Sequence, residues 1–347
     1  MQQPPMSGTA SGAVYVQTNA APNEVIAFRR ADDGSLDLIG SVTTGGEGDG
    51  SPHLTSQGSV VLTGDGRHLL VTNAATDDLS VFTVATDGSI ELRDRVHTGA
   101  APKSVAERGG LVVVLNTGEP GLASFRLDAE GIEAVEGGDQ ALEASHADPA
   151  QVAFSPDGSM VVITERATDS IVTYQVTSNG TFGDSSTIAS EGPTPYGFAF
   201  TSDGTLVVTE AFRAEKGAAA ASSYAIEEGS LAPRTSSVGN GRSEICWAAI
   251  TPDDRFAFAT NFADGAVSRF AIASDGSLSL DDATAGISED GMPGLRDEDL
   301  TSDGRFLYAI DADGGRVYGW SVDAEGSLEP VGSWGGLPAT VAGLAAS

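Results

Sequence analysis

The stretch AFSPDGSMVVITE, residues 153–165, decides the fold. It contains an apolar strand, a tight turn at Pro156-Asp157-Gly158, and a second strand that runs from Met160 to Thr164 and ends on Glu165. Proline, aspartate and glycine favour a turn, and the β-branched residues that follow favour a strand. The stretch therefore predicts a β-hairpin whose second strand ends, unusually, on an acid.

Near-copies of this hairpin recur along the chain. Turn tetrads of the same type (TGDG, SPDG, TSDG, TPDD and TSDG) begin at residues 63, 155, 201, 251 and 301, and a degenerate RGG at 108–110 fills the gap between the first two. Each unit continues with an alternating strand such as SIVTYQV and a second turn such as SDGSLSL. Four short strands in a unit of about 45 residues are typical of a β-propeller blade.

The count of units is seven, with blades expected to start near residues 13, 59, 102, 149, 194, 244 and 293. The first unit lacks an innermost strand, and PATVAGLA at 338–345 has the matching pattern. We therefore predict an all-β, seven-bladed β-propeller with four-stranded blades, whose ring is closed by the C-terminal strand completing the first blade. Residues 12–347 are expected to form this single domain and residues 1–11 a disordered tail. An open solenoid would instead leave edge strands exposed.

The composition limits the possible partners. The formal net charge is −31, so we expect neither nucleic acid nor an anionic membrane to bind, because their phosphates would be repelled. This acidity is consistent either with adaptation to salt or with an ordinary soluble surface. The single cysteine, Cys246, permits no intramolecular disulfide, and the N-terminus shows no signal-peptide pattern. We expect a cytoplasmic monomer that acts on a small molecule.

Polar residues end the second strand of every predicted blade. In chain order they are Asn19, Asn73, Asn116, Glu165, Glu210, Asn261 and Asp311. Strand alternation predicts that these ends and the starts of the innermost strands meet at one mouth of the channel, opposite the turn tetrads. Asn and Asp at such positions often cap the next turn, whereas Glu caps poorly. Glu165 and Glu210 are therefore either caps or a carboxylate pair for acid–base chemistry or cation binding.

The starts of the innermost strands supply a second set of candidates. Lys103, Gln151, Tyr196 and Trp247 occupy four of them, and the stretch LRDEDL at 295–300 places Arg296 and three acids, Asp297 to Asp299, in a fifth. Charges in an inner strand are costly unless they are paired or face a wet channel. The stretch is therefore either a stabilising network or a place where Arg296 holds a ligand carboxylate or enolate.

Two histidines, His53 and His146, lie in connections that enter a blade and pass near the mouth. They are either solvated loop residues or ligand contacts. Phosphate-binding loops, dinucleotide fingerprints and GxSxG motifs are missing from the sequence. The string DADGG at 311–315 lacks the later ligands of a calcium loop. The sequence therefore implies no cofactor and no metal.

The repeated PDG…VVTN/E units, the sevenfold count and the closing GLPATVAGLAA resemble the lactonase-type seven-bladed propellers. That family includes propeller-type 6-phosphogluconolactonase and fungal carboxymuconate lactonizing enzyme. Its members carry Arg and His in a PRHLAF-like string, where this chain has Ala150 and Gln151 in PAQVAF, and Tyr196 and Gly197 in PYGFAF. The resemblance implies hydrolysis of a small sugar-derived or carboxylated lactone at the channel mouth, by a changed set of residues.

On this hypothesis Arg296 binds the substrate anion and Glu165 or Glu210 handles the proton. Tyr196 is the fourth catalytic candidate. The expected substrate contacts are Lys103, Gln151, Trp247, Asp297, Asp311 and His146. Two alternatives remain open at this point: a non-catalytic propeller that binds a ligand or a protein, and a cofactor-free isomerase or cyclase that uses the same acids.

Overall fold

The second strand of each blade is the most deeply buried one, because both of its faces pack against neighbouring blades. A computed structural model describes residues 11–52, 54–288 and 292–347, and within them 28 strands form seven four-stranded antiparallel sheets. His53 and residues 1–10 of the expected tail at 1–11 lie outside the described residues. The predicted all-β propeller with seven four-stranded blades is confirmed.

The innermost strands surround the channel. In ring order they are β28 (Ala342–Ala346), β4 (Val60–Leu62), β8 (Pro102–Arg108), β12 (Pro149–Phe154), β16 (Pro195–Phe200), β20 (Ile245–Ile250) and β24 (Leu295–Leu300). The second strands are β1 (Gly12–Gln17), β5 (His68–Asn73), β9 (Leu111–Asn116), β13 (Met160–Glu165), β17 (Leu206–Glu210), β21 (Phe256–Asn261) and β25 (Phe306–Asp311). The blades start where the repeats predicted.

The third and fourth strands complete the blades. The third strands are β2 (Glu24–Arg30), β6 (Asp78–Val84), β10 (Gly121–Leu127), β14 (Ser170–Val176), β18 (Ala220–Glu227), β22 (Ala266–Ile272) and β26 (Arg316–Val322). The fourth are β3 (Leu36–Thr43), β7 (Ile90–His97), β11 (Ile132–Ala141), β15 (Phe182–Ala189), β19 (Ser230–Gly239), β23 (Leu278–Ile287) and β27 (Leu328–Gly335). Two single 3₁₀ turns cover Phe212–Ala214 and Phe262–Asp264.

The core consists of seven apolar clusters, one in each gap between neighbouring blades. Strand β13 shows how one strand serves two of them. Val161 and Ile163 pack towards the preceding blade, whereas Met160 and Val162 pack towards the following one. An apolar run without polar alternation is therefore what this position requires, since both faces are buried.

The ring closes as predicted, because the C-terminal strand β28 pairs with β1. The strand begins at Ala342 and not at residue 338, since a turn closed by the hydrogen bond from the Val341 amide to the Pro338 carbonyl precedes it. In the same blade, β1 ends at Gln17, so Gln17 and not Asn19 lies opposite the start of the innermost strand. Asn19 follows in a left-handed turn at φ 49°.

Candidate active site

The candidate site lies at the mouth where the innermost strands begin. There Pro149 pairs with Glu165, Pro195 with Glu210, Ile245 with Asn261 and Leu295 with Asp311. The Asp-Gly turn tetrads connect the other ends of the same strands. The two channel mouths therefore differ, and we call them the strand-start mouth and the turn mouth.

A buried aromatic cluster forms the base of the strand-start mouth. It comprises Ala150, Tyr196, Cys246 and Trp247, with Phe262 packed against it. These residues come from the beginnings of three adjacent innermost strands and from the 3₁₀ turn after β21. Three consecutive blades thus share one apolar surface.

Two arginines stand over this surface. The Arg166 guanidinium lies 5.4 Å from the centroid of the Tyr196 ring, and that of Arg296 lies 4.3 Å from the Phe262 centroid. Arg166 also bonds Asp148 at 2.5 Å, whereas Arg296 donates to the Pro52 carbonyl and approaches Asp313 at 3.7 Å. In both, the Nε is buried and makes no hydrogen bond. Each arginine therefore keeps a spare donor.

Burial shifts the pKa values of the ionisable groups below the arginines. Burial raises the pKa of Tyr196 well above its usual value, while the charges of Arg166 and Arg296 lower it. Burial likewise raises the pKa of Asp297 to about 7, against the hydrogen bond from the Gly343 amide and the nearby Arg296. A phenol that stays protonated and a carboxyl that titrates near neutral pH are suited to general acid–base chemistry.

Cys246 belongs to the same cluster but not to its reactive groups. Burial raises the pKa of its thiol to about 12, with the charge of Asp297 adding to the effect. The thiol is therefore protonated at neutral pH and is a poor nucleophile.

The two glutamates face away from this cluster. Glu165 shares the face of β13 that packs towards the preceding blade, where the Thr168 hydroxyl donates to it at 2.6 Å. Burial raises its pKa, Thr168 lowers it, and the charges of Glu143 and His146 act in opposite directions. Glu210 is fully buried and accepts from Ser222, Ser237 and the Gly192 amide at 2.5–2.8 Å. Both are held as caps by groups of their own blade and of the connection that enters it.

The remaining candidates are dispersed around the ring. Lys103 approaches Asp49 at 3.9 Å, and His146 is exposed beside Glu165. Asp311 accepts from the Gly314 amide at 2.8 Å and so caps its own loop. Gln151 spans to the next blade, where it bonds both the amide and the carbonyl of Phe198. Of the predicted set, the structure brings together Arg296, Tyr196, Trp247 and Asp297.

Two functional features escaped the sequence analysis. Arg166 follows the strand-end acid Glu165, and its place over Tyr196 could have been expected only from the rule that adjacent residues at a strand end point to opposite sides. Gln57, in the connection between β3 and β4, bonds the Ala248 carbonyl at 2.9 Å and the Ala248 amide at 3.1 Å across the channel. Nothing in the sequence around Gln57 signals this crossing. Together with Trp247, it separates the strand-start mouth from the rest of the channel.

In the described part of the chain, no group of three or more His, Cys, Asp and Glu side chains is arranged to hold a metal ion. Within the same residues, no helix has the length and apolar character needed to cross a membrane.

Comparison with known proteins gives a family match and several similar folds. A family model described as lactonase, 7-bladed beta-propeller, matches residues 12–133, 132–216 and 209–340. A protein from Bacteroides fragilis, whose assignment as a 6-phosphogluconolactonase is provisional, aligns with TM-score 0.73 and 17% identity over 99% of this chain and 100% of its own. A periplasmic gluconolactonase from Pseudomonas aeruginosa aligns with TM-score 0.70 and 16% identity over 96% and 98%. No curated protein matches significantly.

Proposed function

This chain belongs to the lactonase family of seven-bladed β-propellers, and we propose that it hydrolyses a small sugar-derived or carboxylated lactone at the strand-start mouth. The reaction adds water to the lactone carbonyl and breaks the ring C–O bond, which yields a hydroxy acid. The names of the structural neighbours support a sugar-derived lactone, but identities of 16–17% carry the fold alone.

One observation supports this site above all. Arg166 and Arg296 each hold an unused, buried Nε donor over the aromatic surface that contains Tyr196. Guanidinium groups bind carboxylates and stabilise the oxyanion that forms when water attacks a carbonyl. Two such groups beside a protonated phenol suit a substrate that carries negative charge or develops it during the reaction.

We assign the roles as follows. Arg296 binds the substrate anion and Arg166 stabilises the developing oxyanion. Tyr196 donates a hydrogen bond, since its phenol remains protonated at neutral pH. Asp297 takes the proton of the attacking water, because its pKa of about 7 suits a general base at neutral pH. Glu165 and Glu210, the acids first expected for this step, remain the competing assignment.

Matched substitutions test these roles on a panel of lactones that includes 6-phosphogluconolactone. Arg296→Gln and Asp297→Asn are each expected to lower kcat/KM about 100-fold or more, in the range of a lost oxyanion donor or general base. Asp299→Asn is the matched control. Asp299 accepts a hydrogen bond from the Ala346 amide of β28 at 2.9 Å and lies two residues further along β24 from the mouth than Asp297. It should leave turnover unchanged.

Glu210→Gln separates the competing assignments. We expect this variant to lose stability, since Glu210 accepts three hydrogen bonds, but to keep its kcat at the temperature where it is folded. Loss of turnover in Glu210→Gln together with normal turnover in Asp297→Asn would return the proton transfer to Glu210 and contradict our assignment.

A second function is favoured by one observation, the replacement of the family's Arg and His in the innermost strand. At those positions Ala150 packs in the aromatic cluster, and the Gln151 side chain is hydrogen-bonded to the backbone of Phe198. The alternative is therefore a non-catalytic propeller that binds a ligand or protein at the same mouth. Failure to turn over any lactone in the panel would support it, and production of an isomer would instead indicate an isomerase or cyclase.

The cellular setting belongs to the same proposal. We propose a cytoplasmic monomer with a small-molecule substrate and no nucleic-acid or membrane partner, on the basis of its charge of −31 and its single buried cysteine. The periplasmic location named for one structural neighbour is a property of that protein.

A further inference from the structure

The channel behind Gln57 opens at the turn mouth as a separate cavity. Its volume is about 670 Å³, and aliphatic side chains of the innermost strands, such as Val60, Val105, Val152 and Leu344, line much of its length. Gln57, Gln151, Trp247 and Glu298 line its inner end. The cavity thus has an aliphatic section between a polar inner end and a charged rim that includes Asp65 and Glu107, on the opposite side of Gln57 from the proposed lactone site.

Glu298 differs from every other polar group at this inner end. It is 2% exposed, and neither carboxyl oxygen makes a hydrogen bond. The Thr260 amide is close enough to lower its pKa, yet not in hydrogen-bonding geometry. In the side-chain amides of Gln57 and Gln151, by contrast, the nitrogen and the oxygen each make a hydrogen bond, to Ala248 and to Phe198 respectively. A buried polar group without a partner is rare and costly, so its retention requires an explanation.

The neighbouring acids in β24 have partners that Glu298 lacks. Asp297 accepts from the Gly343 amide and Asp299 from the Ala346 amide, both on β28. Strand alternation turns Glu298 the other way, towards β20 and β21. No cation among the described residues forms an ion pair with it. Burial and the charge of Asp299 therefore raise the pKa of Glu298 well above its usual value, which favours the neutral carboxylic acid in the free protein.

We propose that this cavity binds a small organic ammonium ion, with the ammonium group on Glu298 and the alkyl portion along the aliphatic wall. The N–H donors of such a ligand would satisfy both oxygens, and its charge would replace the missing counter-ion. The adjacent Trp247 ring adds a surface of the kind that attracts organic cations. The proposal goes beyond lactone hydrolysis and does not depend on it.

An inorganic cation fits less well. A calcium ion needs six to eight oxygen ligands, whereas within the described residues no three acidic, His or Cys side chains converge here. The long aliphatic wall would also gain nothing from a bare ion, but would bury the carbons of an alkyl chain.

Calorimetric titration of the full chain with n-butylammonium chloride tests the proposal. We expect saturable binding at pH 7, and binding at least about tenfold weaker for 1-butanol, which has the same carbon chain but no charge. Binding should release a proton to the buffer, because Glu298 passes from carboxylic acid to carboxylate when the ammonium arrives. Titrations in two buffers of different ionisation enthalpy measure that proton.

Glu298→Gln should weaken butylammonium binding at least about tenfold, since it removes a charge-assisted hydrogen bond. Glu107→Gln is the matched control at the cavity rim, where Glu107 bonds the Gly64 and Gly110 amides. It removes the same charge but should leave the affinity unchanged. Equal binding to Glu298→Gln, equal binding of 1-butanol, or binding of calcium chloride in place of the ammonium would each overturn the proposal.

The pH dependence gives a test that needs no variant. Below the pKa of Glu298, the affinity for butylammonium should fall about tenfold for each unit of pH, because the ligand must displace a proton. The other charged groups around the cavity are Asp299, Glu107, Arg108 and Asp65. Of these, Asp299 has a pKa raised to about 7, so its own titration adds to the decrease below that value. An affinity that is independent of pH between about 5 and 7 would contradict the proposal.

Discussion

At the scale of single residues, the acids at the ends of the second strands work together with the threonines before them. The Thr164 hydroxyl donates forward to the Tyr196 carbonyl at 2.6 Å, and that of Thr209 to the Cys246 carbonyl at 2.6 Å. Glu165 accepts from the Thr168 hydroxyl of its own blade, and Glu210 accepts from Ser222 and Ser237 of its own blade and from Gly192 in the connection that enters it. Each threonine therefore ties its strand to the following blade, and each glutamate fixes the strand end within its own blade, which explains an acid at the end of a buried strand without assigning it to catalysis.

Gly197 is the residue on which the Gln57 crossing depends. A Cβ at this position would lie 2.7 Å from the Cys246 carbonyl oxygen, 2.8 Å from the Trp247 Cα, and closer still to the Gln57 Oε1. We expect Gly197→Ala to lower the free energy of unfolding by about 1–3 kcal/mol, because backbone atoms have to move. Urea unfolding measures this. Gly239→Ala, where a Cβ meets no atom within 4 Å, is the control and should change little.

At the scale of elements, strand β24 has an unusual sequence for its position. The fold tolerates three consecutive acids in this strand. Asp297 and Asp299 point towards β28 and accept backbone hydrogen bonds from it, while Glu298 faces the cavity. The raised pKa values of Asp297 and Asp299, each about 7, mean that the folded strand binds protons that the unfolded chain has released. Stability from these two groups is therefore full below about pH 4 and decreases as the pH rises towards 7.

Asp297→Asn tests this sign. Relative to the unsubstituted protein, the variant should gain about 1.4 kcal/mol of unfolding free energy per pH unit between about pH 4 and 7, since the penalty of keeping the acid protonated disappears. Urea unfolding at three pH values measures the difference. The control is Asp157→Asn in the turn tetrad, where hydrogen bonds from Ser155 and Ser159 lower the pKa. Its difference should stay constant between about pH 4 and 7 and change in the opposite direction only below about pH 4, since its folded pKa lies below the unfolded value. A rise between pH 4 and 7 like that of Asp297→Asn would contradict the explanation.

At the scale of the whole molecule, closure of the ring and the surface charge act in opposite directions. Pairing of β28 with β1 gives every blade two neighbours and seven apolar clusters between them. Against this, the chain has 49 acidic and 18 basic residues. The resulting net charge of −31 causes repulsion among the surface acids, which destabilises the compact state. Screening of that repulsion should stabilise the fold.

We therefore expect the melting temperature to rise as salt increases from about 0.01 M to about 1 M, where the screening length falls from about 30 Å to about 3 Å. Differential scanning calorimetry in sodium chloride measures the shift. Sucrose at matched osmolality controls for general exclusion effects, which do not screen charge. A melting temperature that does not change with salt would count against adaptation to salt and favour the ordinary soluble surface.

Much of the fold could be predicted because its information is local. The Asp-Gly turns and β-rich runs recur within each unit, so blade starts near residues 102, 149 and 244 follow from the repeat alone. The closing strand was predicted less accurately, since its register depends on a turn at Pro338 and on the bulge opposite Gln17. These details arise from contacts between the two chain ends, which no local pattern records.

The sequence by itself thus determined the propeller, the number of its blades, the closure of its ring and the two different mouths, because strand periodicity and turn chemistry act over a few residues. Only the tertiary structure decided which side chains meet. Arg166 lies over Tyr196, Glu298 faces an apolar cavity, and Gln57 reaches Ala248 across 191 residues of chain. The physical reason is that a strand shows its period in sequence, whereas the neighbour that each face contacts is set by the packing of blades around the ring.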